Sequence, residues 1–188
     1  VRVHGHGFQT ANDLGDVSRR FADGPRSFGD DCTRVSPVIA YIYYMQCKIC
    51  DDPEYYIRLE IKKFLLWTIY IHPNQCYLGR CFVVLNRHLD DFFDITQEEA
   101  KEYFNIVKKL RDATKELFQP DLFNYAILQN NLNHVHLNFV PRYKEVRVIS
   151  GVKFTDDRWG HNYSPYNKDY KIEDKLLFEI LDKIKDIL

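Results

Sequence analysis

The stretch His134-Val135-His136-Leu137-Asn138-Phe139-Val140-Pro141-Arg142-Tyr143 decides how this chain is read. Polar and apolar residues alternate through its first half. Side chains of an extended strand point to opposite faces in turn. On a strand, His134, His136 and Asn138 therefore share one face. Val135, Leu137 and Phe139 share the other and can enter a core. A row of imidazoles backed by an apolar row can hold a nucleophile rigidly against a phosphate.

Working outward, Leu122 to Gln129 reads as a strand that precedes this one across a short Asn-rich loop, which predicts a hairpin and an antiparallel sheet. Leu65 to Ile71 is rich in β-branched and aromatic residues and reads as another strand, followed by a turn at His72-Pro73-Asn74-Gln75. Cys81 to Leu85 is a further strand, entered through Gly79. Pro53 to Phe64 is expected to form a short helix. Thr96-Gln97-Glu98-Glu99 has the pattern of a capping box, in which the Thr hydroxyl serves the amide three residues on and Glu99 reaches back. The helix it starts carries Ala100, Tyr103, Phe104, Val107, Leu110, Thr114 and Leu117 at helical spacing and ends at Pro120. Ile172, Leu176, Leu177, Ile180, Leu181 and Ile184 make a final amphipathic helix. The fold class is α+β.

A length of 188 residues suits one domain with an appendage, and 15% aromatic residues supply a sizeable core. The net charge of -1 offers no general basic footprint for nucleic acid. No apolar run approaches the roughly 18 residues of a membrane span, and no signal peptide is legible. All 14 lysines fall after residue 44. Up to Asp31 the chain is rich in Gly, Asp, Ser and Arg and holds too little apolar surface to offset its ordering entropy. The single methionine is Met45. Residues 1–44 read either as an extension ahead of a start at Met45 or as a poorly ordered tail, with the folded domain over residues 45–188. Five cysteines in a Lys- and Glu-rich body fit the cytoplasm, where thiols stay reduced.

In that setting Cys47-Lys48-Ile49-Cys50 has the knuckle spacing of a zinc site. The alternatives are a redox pair or two ordinary thiols. Zinc needs two more ligands, and His88 and His134 can serve as neutral imidazoles. Cys76 and Cys81 are too far apart for a knuckle and read as a loop thiol and a strand-core residue. Asp156 to Tyr163 is an aromatic, polar loop that covers the site or packs on the domain.

Taken in order, Cys-x-x-Cys, then Gly79-Arg80-Cys81-Phe82-Val83-Val84-Leu85-Asn86-Arg87-His88, then the Thr96 helix, then His134 to Arg142 resemble the histidine-triad (HIT) superfamily over about Met45 to Tyr143. Family members have His-φ-His-φ-His-φ-φ, φ being apolar, often followed by Pro-Arg. The resemblance implies an antiparallel sheet with packed helices and an N-terminal zinc knuckle. It implies that His136 is the nucleophile, attacking the α-phosphate of a nucleotide to give a nucleotidyl-imidazole that water, phosphate or another acceptor resolves. It implies a structural zinc on Cys47, Cys50, His88 and His134, as in the family's zinc-containing diadenosine polyphosphate hydrolase-like branch. It also implies a homodimer.

Two positions depart from the family pattern. Asn138 replaces the third histidine; an amide can hold a phosphoryl oxygen but cannot donate a proton to a leaving group. Arg80 stands after Gly79 where many members have His, and adds a permanent charge suited to polyphosphate. In the shortened loop before the triad, Asn130 is a candidate phosphate or ribose contact, and Gln75 in the turn before Gly79 is another. The implied function is a nucleotide polyphosphate hydrolase, phosphorylase or nucleotidyltransferase, with dinucleoside polyphosphates as substrate. The alternative is a nucleotide-binding sensor or interaction module whose catalysis Asn138 has weakened.

Overall fold

The computed structural model describes residues 47–188. Residues 1–44 and the start at Met45 lie outside them. Two short helices, α1 (Lys48–Asp51) and α2 (Pro53–Ile57), lead into strands β1 (Glu60–Lys63), β2 (Trp67–Ile71) and β3 (Cys81–Leu85). A 3-10 turn (Phe92–Asp94) precedes helix α3 (Gln97–Phe118), followed by β4 (Leu122–Ala126) and β5 (His136–Arg142). A hairpin of β6 (Arg147–Ile149) and β7 (Val152–Phe154) comes next, and helix α4 (Asp174–Ile187) closes the chain.

All pairings in the main sheet are antiparallel, in the order β1-β2-β3-β5-β4. Its central strands follow the apolar runs of the sequence. Alternation sends Trp67, Ile69, Ile71, Cys81, Val83, Leu85, Leu137 and Phe139 into one core with Leu110 of α3 and Ile180 and Ile184 of α4. The opposite face carries Arg80, Phe82 and Val84 of the β3 segment beside His136, Asn138 and Val140 of β5, with Phe82 paired to Asn138 and Val84 to His136. This second face is also largely buried, and its buried polar residues include Thr68, His72, Arg80, His136, Asn138 and Arg142. Among the described residues no helix is long and apolar enough to cross a membrane.

The capping box forms: Glu99 N–H donates to Thr96 Oγ1 (3.2 Å) and Thr96 N–H to Glu99 Oε2 (2.8 Å). Gly79 has φ of +76°, and a Cβ there would meet Phe118 at 3.0 Å, so both backbone and space require glycine at the entry to β3.

Two expectations need correction, and one element is additional. The helix expected over Pro53–Phe64 stops at Ile57, and Glu60–Lys63 becomes the edge strand. The pull is tertiary: β2 offers a free ladder, and Ile61 is buried while the charged neighbours lie toward solvent, as suits an edge. The stripe of α3 is rotated, so that Ile106 and Ala113 are buried and Phe104 is 68% exposed. The β6–β7 hairpin, turning through Ser150 and Gly151 at positive φ, was not anticipated.

Candidate functional site

Cys47, Cys50, His88 and His134 come together although they are far apart in the chain. One ligand atom from each lies within 4.8 Å of all the others. Cys47 is the N-cap of α1 and Cys50 lies within its single turn, so both thiols face one point. The other two ligands arrive because β3 and β5 are tied beyond their ladder. Leu85 N–H donates to Val135 O (3.1 Å), and Val135 N–H to Leu89 O (2.8 Å).

The donor set fits zinc. Bond lengths of about 2.3 Å to sulfur and about 2.0 Å to nitrogen, at a tetrahedral angle, separate S and N by about 3.5 Å. Cys47 Sγ is 3.2 Å from His134 Nδ1, and Cys50 Sγ is 3.6 Å from His134 Nδ1 and 3.7 Å from His88 Nδ1. The outer nitrogens are engaged in the way a metal-binding imidazole needs. His134 Nε2 is 2.7 Å from Leu85 O, and His88 Nε2 is 2.8 Å from an Asp90 carboxylate oxygen. A proton on each Nε2 leaves both Nδ1 lone pairs directed at the thiols.

His136 follows two residues later as the first residue of β5, so the strand expected from His134 begins at His136. Its Nδ1 lies 2.7 Å from the carbonyl oxygen of His134, so Nδ1–H donates there and Nε2 carries the lone pair. Burial pushes the His136 pKa below its ordinary value and so favours the neutral ring, against the opposing pull of that hydrogen bond. Phe82 stands edge-on to His136 (5.7 Å between ring centroids) and packs on its other side against His72 (4.4 Å). His72 is held neutral by burial and then by the Arg80 charge, and its Nδ1 accepts from Asn74 N–H (2.9 Å). Asn138 donates one amide hydrogen to Ala126 O (3.3 Å) and has a second to offer.

The remaining sequence candidates separate. Asn130 stands exposed on the loop between β4 and β5. Gln75 is fully buried; its amide nitrogen donates to His72 O and Arg80 O, and its oxygen accepts from Gly79 N–H. It therefore shapes the turn and has nothing left for a phosphate, which corrects the expectation placed on it. Arg80 lies buried on the face that carries His136, with its guanidinium 4.2 Å from the Tyr166 ring centroid.

Sequence reasoning missed several contributors. Asp90 orients His88, and its position two residues after the ligand was a usable signal. The carbonyls of Leu85 and His134 fix the imidazoles of His134 and His136, but backbone acceptors leave no mark in a sequence. Arg142 was seen only as part of a motif. It holds Asp156 through two bonds (2.6 and 3.0 Å) and so ties the loop 156–163 to the sheet.

The HIT-domain family model matches residues 48–145, more than half of the chain. Protein hit of Bacillus subtilis (strain 168) is 28% identical over 112 residues, 56% of this chain and 69% of that protein. A histidine triad protein from Marinobacter aquaeolei VT8 superposes with a TM-score of 0.59 at 15% identity, over 72% of this chain and 93% of that one. A protein described as a hypothetical histidine triad nucleotide-binding protein from Sulfolobus tokodaii gives a TM-score of 0.58 at 12% identity, over 75% of this chain and 91% of that one. At such identities the solved structures establish likeness of fold.

Proposed function

The chain belongs to the histidine-triad (HIT) family, and on that premise we propose that it cleaves nucleotide polyphosphates through a nucleotidyl-histidine formed on His136. One observation carries this reading: the Nδ1 proton of His136 is engaged by His134 O at 2.7 Å, which frees Nε2 as the attacking atom. Nε2 attacks the α-phosphorus. The N–P bond forms as the P–O bond to the leaving group breaks, and that electron pair leaves with the oxygen. Water then attacks the same phosphorus, the N–P pair returns to Nε2, and the water proton passes to solvent.

Asn138 limits the substrate. Its amide can hold a phosphoryl oxygen, as exposed Asn130 does in this reading, but it supplies no proton. The leaving group must depart as a stable anion. A nucleotide or polyphosphate does so, and dinucleoside polyphosphates such as diadenosine tetraphosphate are the favoured class. Zinc on Cys47, Cys50 and the Nδ1 atoms of His88 and His134 would be structural, since four protein ligands leave no position for water. Elemental analysis after chelator-free purification tests it; less than about 0.3 zinc per chain counts against a site of this affinity class.

His136→Ala is the test of mechanism. Turnover of diadenosine tetraphosphate is expected to fall by about a thousandfold or more; wild-type turnover would rule out the covalent route. Asn138 favours a second reading, a nucleotide-binding sensor with weakened catalysis. Nucleotide binding without a trappable nucleotidyl-enzyme, and hydrolysis switched on by Asn138→His, would select it.

A homodimer suits the sheet: β4 is an edge strand, with Leu122 and Tyr125 exposed. A monomer mass by light scattering would remove that assignment. The four described cysteines are unpaired, which fits the cytoplasm as the proposed location.

A further inference from the structure

We propose that Arg80 is the receptor for the phosphates on the leaving side of the substrate, the ones that depart when His136 captures the α-phosphate. The inference rests on the nucleotidyl-transfer reading of His136 and adds the group that stabilises the departing anion.

Arg80 is only 2% exposed, and its Nε and Nη1 have no hydrogen-bond partner among the described residues. None of the ion pairs among the described residues includes it. The groups that sense its charge, His72, Cys76 and Tyr163, are not carboxylates. A guanidinium taken out of water without a partner bears a desolvation penalty that an anion or a set of acceptors normally offsets. Stacking on Tyr166 occupies one flat face, while Nε and Nη1 are left without a partner, and guanidinium N–H groups of this kind grip a phosphate.

Its place on the sheet suits this role. Phe82 is paired with Asn138 and Val84 with His136. At about 3.3 Å per residue, Arg80 lies about 7 Å along β3 from the Asn138 row and about 13 Å from the His136 row. A phosphate chain that starts at His136 and runs along β5 past Asn138 heads toward Arg80. Cys76 and Tyr166, which flank Arg80, also line a cavity of about 490 Å³ whose wall includes Lys153, Arg158, Tyr170 and a single carboxylate, Asp157. Neither Lys153 nor Arg158 is in an ion pair among the described residues. Asp156, the other carboxylate near Cys76, is taken up by Arg142, so the surroundings of Arg80 are short of unpaired negative charge. Asn138 cannot protonate a leaving group; a fixed cation stabilises a departing polyphosphate without a proton.

The test compares the full-length chain with Arg80→Met. Inorganic tripolyphosphate should raise the melting midpoint of the wild type by several degrees and leave that of Arg80→Met unchanged, since only a ligand bound to the folded state stabilises it. Without ligand, Arg80→Met should melt above the wild type, because an unpaired buried charge has gone. A lower midpoint would mean that the fold itself satisfies Arg80 and would overturn the proposal. An equal tripolyphosphate shift in both proteins would overturn it as well. Orthophosphate protecting the wild type where tripolyphosphate does not would assign Arg80 to an acceptor phosphate and overturn the leaving-side role. In turnover, kcat/KM for diadenosine tetraphosphate should fall about a hundredfold in Arg80→Met, while that for a p-nitrophenyl ester of AMP, whose leaving group has no phosphate, stays within about threefold. Equal losses on both substrates would refute the assignment. If the wild type turns over neither substrate yet tripolyphosphate protection still depends on Arg80, the catalytic reading of His136 fails and the phosphate receptor stands. Failure of Arg80→Met to fold is the extreme of a lower midpoint and would overturn the proposal too; Arg80→Lys is the companion variant, which keeps the charge but loses the fork, so undiminished tripolyphosphate protection in it would count against the receptor.

Discussion

Arg80 and Arg142 lie on the same face of the sheet, and each is 2% exposed. Each also stands near a tyrosine ring, Arg80 at 4.2 Å from Tyr166 and Arg142 at 5.2 Å from Tyr77. Their hydrogen bonding is opposite. Arg142 donates to both carboxylate oxygens of Asp156 (2.6 and 3.0 Å), to Asn124 Oδ1 (2.6 Å) and to the carbonyls of Arg158 (2.7 Å) and His161 (3.1 Å). Arg80 leaves Nε and Nη1 without a partner. Burial alone therefore does not tell a structural arginine from a functional one; the count of satisfied N–H groups does. Arg142 is complete and serves as a latch between β5 and the loop that follows the β6–β7 hairpin. Arg80 is incomplete, and its missing partners are the mark of a ligand.

The hardest blow to this contrast is Arg142→Met. It strands Asp156 as a buried, uncompensated carboxylate and orphans three further acceptors. Stability should fall by about 3–5 kcal/mol in urea denaturation. A loss no greater than that of an exposed substitution would mean that the latch is dispensable and that the two arginines are alike.

Asp156→Asn cuts the contrast from the other side. The amide oxygen can still accept, but the charge that neutralises Arg142 is gone, and the cost should be about 2–3 kcal/mol, the size of a hydrogen bond to a charged group. The variant also brings Arg142 closer to the state of Arg80. Inorganic phosphate should then recover part of the lost stability, which it should not do in Arg142→Met. No recovery would show that the loop packs too closely for an anion to enter.

Legibility in the sequence followed the same division between what a residue is and what surrounds it. Cys81–Leu85 was readable to the residue because an apolar run and an obligatory glycine bound it. The four Cys and His positions were readable because ligand spacing is local for the two thiols and motif-bound for the two imidazoles, and they do converge. Glu60–Lys63 was not readable, since nothing in Glu-Ile-Lys-Lys asks for a strand until β2 offers its edge. Phe104 misled because a helical stripe fixes a period and leaves its phase to whatever packs against it. Gln75 and Arg80 are the sharpest case. Both are candidates for phosphate on either side of Gly79, and the fold buries both. Three backbone groups around the turn satisfy Gln75, whereas Nε and Nη1 of Arg80 find no partner among the described residues. That difference depends on which carbonyls come within reach, and no residue type announces it.

The smallest effect asks what the tyrosine contributes. Tyr166→Leu removes the ring beneath Arg80, and the loss in stability should be about 0.5–1 kcal/mol, the usual worth of a cation–π contact. Tyr166→Phe keeps the ring and should match the wild type. Because the ring steadies the guanidinium with and without ligand, its removal should weaken tripolyphosphate binding by less than it lowers stability. The reverse outcome, stability unchanged and affinity much reduced, would mean that Tyr166 meets the ligand itself. Tyr166 would then be a wall of the binding site and not the support of its cation, and the contrast with Arg142, whose ring at Tyr77 belongs to a closed latch, would extend from the arginines to the tyrosines beside them.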